Sequence, residues 1–516
     1  MSFLLDAPAP EHALPSAERA LRSRLMVVAD ELLADASEVR ALAGRGSGVL
    51  LGALVHRVQA SGLDRELWLL LVAMTAAFPN TELMLRTRRA LGMAAGPQAL
   101  SAVLDASYHS GTRLQSLELE MRLVTDKPVV DVDFCARFDH NTGIQRVVRE
   151  TMSRWNGEHS IELACWADGD NCLRTLAPIE RRRVLEWDSH KAEMAHHIKP
   201  DGRAPAGFVP ELVVPYRTTV VLPEVAHDGL WPQLSALARF SGNQTAMIGY
   251  DTIPIASADL ISSHETEKFS KYLTIVKNAT RVVAISDAAA GEFRGFASAL
   301  VSQGVGAPVV GCVTLAVQSP ARGASVSAPT DQPEKLVLMV GNQEPRKNLL
   351  AVLFAAETLW REGLQFTLRM IGGGKSDYTR LIDHEAKRLA KAGHAIEVLR
   401  GAGDDVLIDS YRAARFTVFP STHEGYGLPV AESLAMGVPS ITSNYGSTQQ
   451  IADGGGCLTV DPRNDQSIVD AMRLLLTDDV ERERLAAEAR ARVPRTWNDY
   501  ATELWHELVE PLENAS

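Results

Sequence analysis

Two glutamates, Glu424 and Glu432, stand with seven residues between them in His423-Glu424-Gly425-Tyr426-Gly427-Leu428-Pro429-Val430-Ala431-Glu432-Ser433. An ionised carboxylate only accepts hydrogen bonds, so two of them suit a ligand rich in hydroxyls. The elements around them must aim both at one place. Phe416-Thr417-Val418-Phe419 reads as a short buried strand that stops at Pro420-Ser421. Pro429 suits the first turn of a helix, where a missing N–H costs nothing. The loop between carries glycines that let backbone approach a ligand closely, and free N–H groups at a helix start favour an anion. Glu424 falls on the loop and Glu432 about one turn into the helix, with both carboxylates expected to face one cleft. Hydroxyls beside an anion describe a nucleotide-sugar. Either glutamate alone reads better as a loop cap or an exposed helix carboxylate; the whole string does not.

A second constellation is Gly341-Asn342-Gln343-Glu344-Pro345-Arg346-Lys347-Asn348, after the apolar run Leu336-Val337-Leu338-Met339-Val340. Arg346 offers a bidentate fork and Lys347 a compact charge, which together suit a diphosphate. An Arg-Lys pair alone is more often a solvated turn, and its position between a strand and a helix favours the functional reading. Asn141-Thr142-Gly143-Ile144-Gln145 supports two readings evenly, a phosphate-facing glycine loop and a plain helix start. Asp251, after the strand-like Ile248-Gly249, either faces the cleft or is a turn aspartate, and His227 has a similar status.

Three patterns are set aside. Asp131-Val132-Asp133 has the spacing of a metal-binding pair, and strand alternation would put both on one face, but no other ligand cluster supports a metal. Gly372-Gly373-Gly374-Lys375-Ser376 ends like a phosphate loop, yet Arg369 holds the required first glycine position. Gly304-Val305-Gly306 lacks the third glycine of a dinucleotide fingerprint.

At 516 residues the chain exceeds a single core. Its composition, 46% hydrophobic and 22% charged, is that of a globular protein, and a net charge of −12 argues against a broad nucleic-acid surface. Five scattered cysteines without a Cys-x-x-Cys suit a reduced compartment and provide no metal framework. Met1-Ser2-Phe3-Leu4-Leu5-Asp6 does not read as a signal peptide, and the apolar stretch Leu67 to Phe78 is too short to span a bilayer. A cytoplasmic protein is expected, with peripheral contact at the inner face of the membrane left open.

The expected organisation begins with an all-helical extension over residues 1–120, of about four or five helices, with breaks at Gly44-Arg45-Gly46, Ser61-Gly62, Pro79-Asn80 and Gly96-Pro97. An N-terminal Rossmann-like domain follows over 121–325, with strands at Pro128–Phe134, Ile161–Cys165, Thr218–Leu222 and Arg281–Ile285. Ser319–Glu334, rich in Ser, Ala and Pro, reads as a linker. A second Rossmann-like domain occupies 326–490, with strands at Leu336–Val340, Phe366–Ile371, Phe416–Phe419 and Ser440–Thr442. Residues 491–516 are expected to form a helix packing back on the N-terminal domain. This is an α/β fold of two Rossmann-like domains facing a cleft, where ligands usually bind.

With these residues assembled, the chain resembles the retaining glycosyltransferases of family 4, which have the GT-B fold. The resemblance covers roughly Val129 to Leu508 and is strongest from Val340 to Pro462. Glu-Pro-Arg-Lys-Asn at 344–348 and the Glu424–Glu432 string are its most specific parts. The resemblance implies that Lys347, with Arg346, neutralises the departing donor diphosphate. It assigns the transferred sugar to Glu424 and the ribose hydroxyls to Glu432. The amides of Gly425, Tyr426, Gly427 and Leu428 would hold sugar hydroxyls and phosphate, and Gly143 would match the glycine loop facing the donor. Gly341 and Asn342 belong to the donor turn, where many members carry an arginine in place of Asn342. Many also have a histidine where Tyr250 stands, which leaves the acceptor-side role to Asp251.

Further implications are no metal, no cofactor beyond the donor, and a front-face route. The Glu-Pro-Arg-Lys-Asn form is similar to bacterial mannosyltransferases of polysaccharide assembly and tilts the donor toward a GDP-sugar. The leading expectation is transfer of a hexose to a glycan, lipid-linked or protein acceptor, with no nucleic-acid partner. The competing expectations are a nucleotide-sugar epimerase and a non-catalytic nucleotide-sugar or glycan-binding protein. Self-association through the helical extension is a further expectation.

Overall fold

Short runs of Val, Ile and Leu buried on both faces form parallel strands, and in the computed structural model they assemble into two sheets. The structure describes residues 16–33, 35–110, 116–167, 169, 171–195, 208–227, 229–317, 335–374 and 377–510. The run Ser319–Glu334 expected as a linker lies outside the described residues, as do Lys375, Ser376 and the first six residues.

The first sheet contains β1 (Met121–Val124), β2 (Val129–Asp131), β3 (Glu162–Trp166), β4 (Leu173–Thr175), β5 (Leu212–Pro215), β6 (Thr219–Leu222), β7 (Gln244–Gly249), β8 (Arg281–Ala284) and β9 (Val309–Cys312). Their spatial order is β1-β5-β4-β3-β2-β6-β7-β8-β9. Only β4 runs against its neighbours. The second sheet contains β10 (Leu336–Val340), β11 (Thr367–Ile371), β12 (Ile396–Leu399), β13 (Ala414–Phe419), β14 (Ser440–Ser443) and β15 (Cys457–Val460). It is parallel throughout, in the order β12-β11-β10-β13-β14-β15.

The strand expected over 128–134 ends at Asp131, and Asp133 opens the helix Asp133–Arg137. The two aspartates therefore do not alternate along one strand. Asp131 Oδ2 accepts the Trp166 indole N–H at 2.8 Å. Asp133 Oδ1 accepts the Trp166 amide at 2.8 Å and Arg137 Nε at 2.7 Å. Both carboxylates fasten the carboxyl edge of the sheet.

Ahead of β1, six helices run among the described residues: Ser16–Leu32, Ala36–Gly44, Ser47–Ser61, Asp64–Thr75, Thr81–Met93 and Pro97–Ser110. The break near residue 35 has no Gly or Pro; Asp35 makes it by accepting the Ser37 amide at 2.8 Å. The helices do not stand apart from the sheet. Leu25, Leu54, Trp68 and Phe78 share one apolar cluster with Trp166, Leu212, Val220 and Met247. Phe78 meets Trp166 edge-on at 5.7 Å and donates its N–H to Asn171 O at 2.7 Å. Buried Arg24 ties the layer inward by donating to Ala73 O, Leu117 O and Leu119 O at 2.7–2.8 Å.

At the other end, the helix Trp497–Leu508 leaves the second sheet and packs on the first. Tyr500, Leu504 and Leu508 join Val130, Trp155, Val221 and Ile248 in one buried cluster. Each such side chain contributes about 1.5–3 kcal/mol by leaving water. Trp155 Nε1 fixes the register by donating to Ala501 O at 2.8 Å. Among the described residues no helix is long and apolar enough to cross a membrane.

Candidate functional site

The carboxyl ends of the two sheets face each other, and the named residues gather along that seam. After β10 the backbone turns at Gly341, whose φ of 148° favours glycine. A Cβ on Gly372, after β11, would lie 1.8 Å from Gly341 O, so these loops cross with no room for a side chain. The single turn Pro345–Lys347 then presents both cations. Lys347 is buried 4.9 Å from the Phe419 ring centroid, and its ammonium pairs with Glu424 Oε1. Arg346 lies 3.1 Å from Glu424 Oε2 and donates to His423 O at 3.1 Å. Burial pushes the Glu424 carboxyl up, but Lys347 and Arg346 outweigh it and hold the group below the usual carboxylate range. Asn342 is exposed at this turn.

The loop after β13 is stitched to that turn, since Thr422 N donates to Arg346 O at 2.8 Å. It also touches the first sheet. A Cβ on Gly425 would lie 2.4 Å from Tyr250 O and 3.2 Å from Asp251 Cβ, and Ser286 Oγ donates to Gly425 O at 2.6 Å. Gly427, at φ 111°, precedes the helix Leu428–Ala435, in which Pro429 occupies the first turn. The Tyr426 hydroxyl donates to Leu315 O at 3.1 Å.

Glu432 meets partners that the sequence did not reveal. Its Oε1 lies 2.8 Å from Arg146 Nη1, and its Oε2 accepts the Tyr411 hydroxyl at 3.1 Å. Arg146 sits on the helix Gly143–Glu158, so this ion pair crosses from one domain to the other. Gly143 starts that helix, and a Cβ there would lie 3.1 Å from Leu428 Cδ1. The only sequence signal for Arg146 is its place three residues after Gly143, on the same helix face.

Asp251 follows β7 and accepts the Ile253 amide at 3.1 Å. Burial raises its carboxyl to about 6; Arg346 pulls it down, and Glu292 and Glu424 push it up. Tyr250 directly follows β7. Its ring is buried and its hydroxyl donates to Pro223 O at 2.7 Å, so it belongs to the core. The imidazole at the seam is His423, which bridges Ser257 Oγ at 2.8 Å and Glu292 Oε1 at 2.6 Å. The hydrogen bond to Glu292 raises His423 against the effect of burial. A cavity of about 280 Å³ opens beside it, lined by Ser257, Glu292, His423, Glu424, Tyr445 and Arg463. His227 lies outside this group, exposed, with Nδ1 accepting the Gly229 amide at 3.1 Å. Among the described residues no group of three or more His, Cys, Asp or Glu is placed to hold a metal ion.

Together the seam offers the cations Arg146, Arg346 and Lys347, the carboxylates Glu292, Glu424 and Glu432, and an Asp251 carboxyl raised to about 6, beside loops whose glycines allow close approach. Such a set can neutralise a phosphate and hold hydroxyls at one point.

Residues 325–492 match the family described as glycosyl transferases group 1. The O-antigen chain mannosyltransferase B of Escherichia coli is 30% identical over 167 residues, which is 32% of this chain and 43% of that protein. The D-inositol 3-phosphate glycosyltransferase of Corynebacterium urealyticum is 29% identical over 177 residues, 33% of this chain and 42% of that one. The matches thus span less than half the length of these relatives. Among solved structures, sucrose-phosphate synthase from Thermosynechococcus elongatus superposes with a TM-score of 0.50 at 18% identity, covering 73% of this chain and 97% of that one. That likeness shows the GT-B fold.

Proposed function

We propose that this chain, which carries a glycosyl transferases group 1 domain on a GT-B fold, is a retaining hexosyltransferase using a nucleotide-sugar donor. The reading rests above all on Arg346 and Lys347 converging on Glu424 at the interdomain seam. Arg346 and Lys347 neutralise the donor diphosphate, and Glu424, turning from them, accepts hydrogen bonds from the sugar. Glu432 binds the ribose hydroxyls, oriented by Arg146 and Tyr411. Amides of Gly425 to Leu428 complete the donor pocket, with Gly143 opposite and Gly341 and Asn342 at the phosphate turn. The small size required at Gly143 and Gly425 supports a narrow donor slot.

In the front-face route, the bond from the sugar anomeric carbon to the diphosphate oxygen breaks. An acceptor hydroxyl attacks from the same side, and its proton passes to the departing phosphate oxygen. Cations beside that oxygen are stabilising because they meet charge as it develops. Asp251 orients the reacting sugar from the opposite domain. No metal takes part. The mannosyltransferase among the relatives supports a mannose-type donor, and the Glu-Pro-Arg-Lys-Asn form at 344–348 favours a GDP-sugar, with a glycan, lipid-linked or protein acceptor on the cytoplasmic side.

The test is a donor screen with purified full-length chain, reading nucleotide diphosphate release with and without candidate glycans. Release that depends on a glycan, with the anomeric configuration retained in the product, is expected. An isomerised sugar without acceptor would make the chain an epimerase. Donor binding without any turnover would make it a binding protein.

A further inference from the structure

The segment between β2 and the helix Gly143–Glu158 displays aromatic rings while being held from below. Phe134 and Phe138 are 37% and 44% exposed, with ring centroids 4.7 Å apart. The His140 ring lies 6.1 and 6.3 Å from them. Showing two phenylalanines to water is costly, and such clusters mark binding surfaces.

The support beneath is extensive. Arg149 is buried and donates to Cys135 O, Phe138 O, His140 O and Asn141 Oδ1, and its guanidinium stacks 3.7 Å from the Trp187 centroid. Arg183, also buried, donates to Ala136 O at 3.2 Å and Asp139 Oδ1 at 2.9 Å. The Glu224 carboxylate accepts the amides of Phe134 and Cys135 at 2.7 and 2.9 Å. Fixing a surface before its ligand arrives lowers the entropy cost of binding.

We infer that Phe134, Phe138 and His140 form a stacking platform for a neutral pyranose unit of the acceptor glycan. This rests on the transferase reading, because the same segment ends at Gly143, against the donor-side Leu428. The segment also begins at the carboxyl end of β2, the sheet edge that faces the cleft, where an acceptor would approach. An aromatic face carries partial negative charge, and the C–H groups of a pyranose carry partial positive charge, so ring and sugar stack. Asp139, His140 and Asn141, exposed on the same segment, border the rings with polar groups for sugar hydroxyls. The neighbouring cations Arg149 and Arg183 are committed to the segment itself, which disfavours an anionic lipid head.

The test places the full-length chain on immobilised mannose-, glucose- and galactose-terminated oligosaccharides and on phosphatidylglycerol vesicles. Retention by at least one glycan is expected, falling by about tenfold or more in the Phe134→Leu/Phe138→Leu double variant. Phe134→Tyr/Phe138→Tyr is expected to restore it, which separates ring stacking from loss of fold. Equal retention of wild type and the leucine variant, or no glycan retention by the wild type, overturns the platform. So does vesicle binding that the leucine variant abolishes. Donor turnover by the wild type is read on the same samples. Turnover with unchanged glycan retention rejects the platform alone. Lost retention in the leucine variant without donor turnover by the wild type upholds the platform and rejects the transfer reaction.

Discussion

The two lips of the cleft spend their cations differently. On the second sheet, Arg346 and Lys347 stand at the cleft and face a carboxylate, Glu424. On the first sheet, Arg146 also faces a carboxylate, Glu432, while buried Arg149 donates mainly to backbone carbonyls and buried Arg183 divides its bonds between Ala136 O and Asp139 Oδ1. A cation paired with a side chain on a loop can change partner when an anionic ligand arrives. A cation bonded to several backbone oxygens is part of the frame. Residue type alone does not separate these roles; the partner does.

The most severe way to break this contrast is to remove the helices of residues 16–110. Their loss would uncover the face carrying Trp166, Leu212 and Met247. The truncated chain is expected to be insoluble, or to lose cooperative melting of the first domain by calorimetry. A soluble, unaltered enzyme would make the helices an independent module.

Next, Lys347→Met is expected to lower transfer by about 10²–10³-fold. Stability should fall by only about 1–3 kcal/mol, because Arg346 still faces Glu424. Steady-state rates and melting temperature measured together would check both. Arg149→Met should show the reverse balance. It leaves carbonyls unpartnered and is expected to cost about 3 kcal/mol, while donor affinity by titration calorimetry stays near wild type. A large loss of donor affinity would abolish the distinction between the lips.

The smallest effect concerns Asp251. Its folded carboxyl lies at about 6, above the ordinary 3.8. The favourable contribution of the protonated form is complete below about 4 and is lost as pH rises through about 6. Asp251→Asn should therefore be more stable than wild type at neutral pH, by on the order of 2 kcal/mol, with the gap closing in acid. If its carboxylate orients substrate, wild-type transfer falls as pH drops through about 6, and the asparagine variant lacks that limb.

Legibility differed between the halves for physical reasons. β10 lies inside a parallel sheet and reads as a continuous apolar run, while β11, β13 and β14, also inside it, read from shorter apolar and β-branched stretches. The edge strands β12 and β15, partly exposed, carry Glu397 and Thr459 and gave no such run. In the first half, the short β4 runs antiparallel between β3 and β5, which interrupts the parallel pattern. Asp133 was misplaced because the chain passes from strand to helix within two residues, faster than an alternation pattern can register. Glu424 and the Arg346-Lys347 turn were legible because local spacing specifies them. The Arg146 and Tyr411 partners of Glu432 were not, since that meeting depends on how separate elements pack. The orientation of Tyr250 likewise depends on packing, which turns its hydroxyl toward Pro223.

The return of the helix Trp497–Leu508 to the first sheet has a mechanical consequence. The polypeptide crosses between the halves once between β9 and β10 and again between residues 491 and 497. Two bodies joined by one thread can twist and slide in many directions. Two bodies joined by two threads share an axis, and their easiest relative movement is a swing about it. An opening of this cleft would part Arg146 from Glu432 while Trp155 keeps its grip on the returning helix.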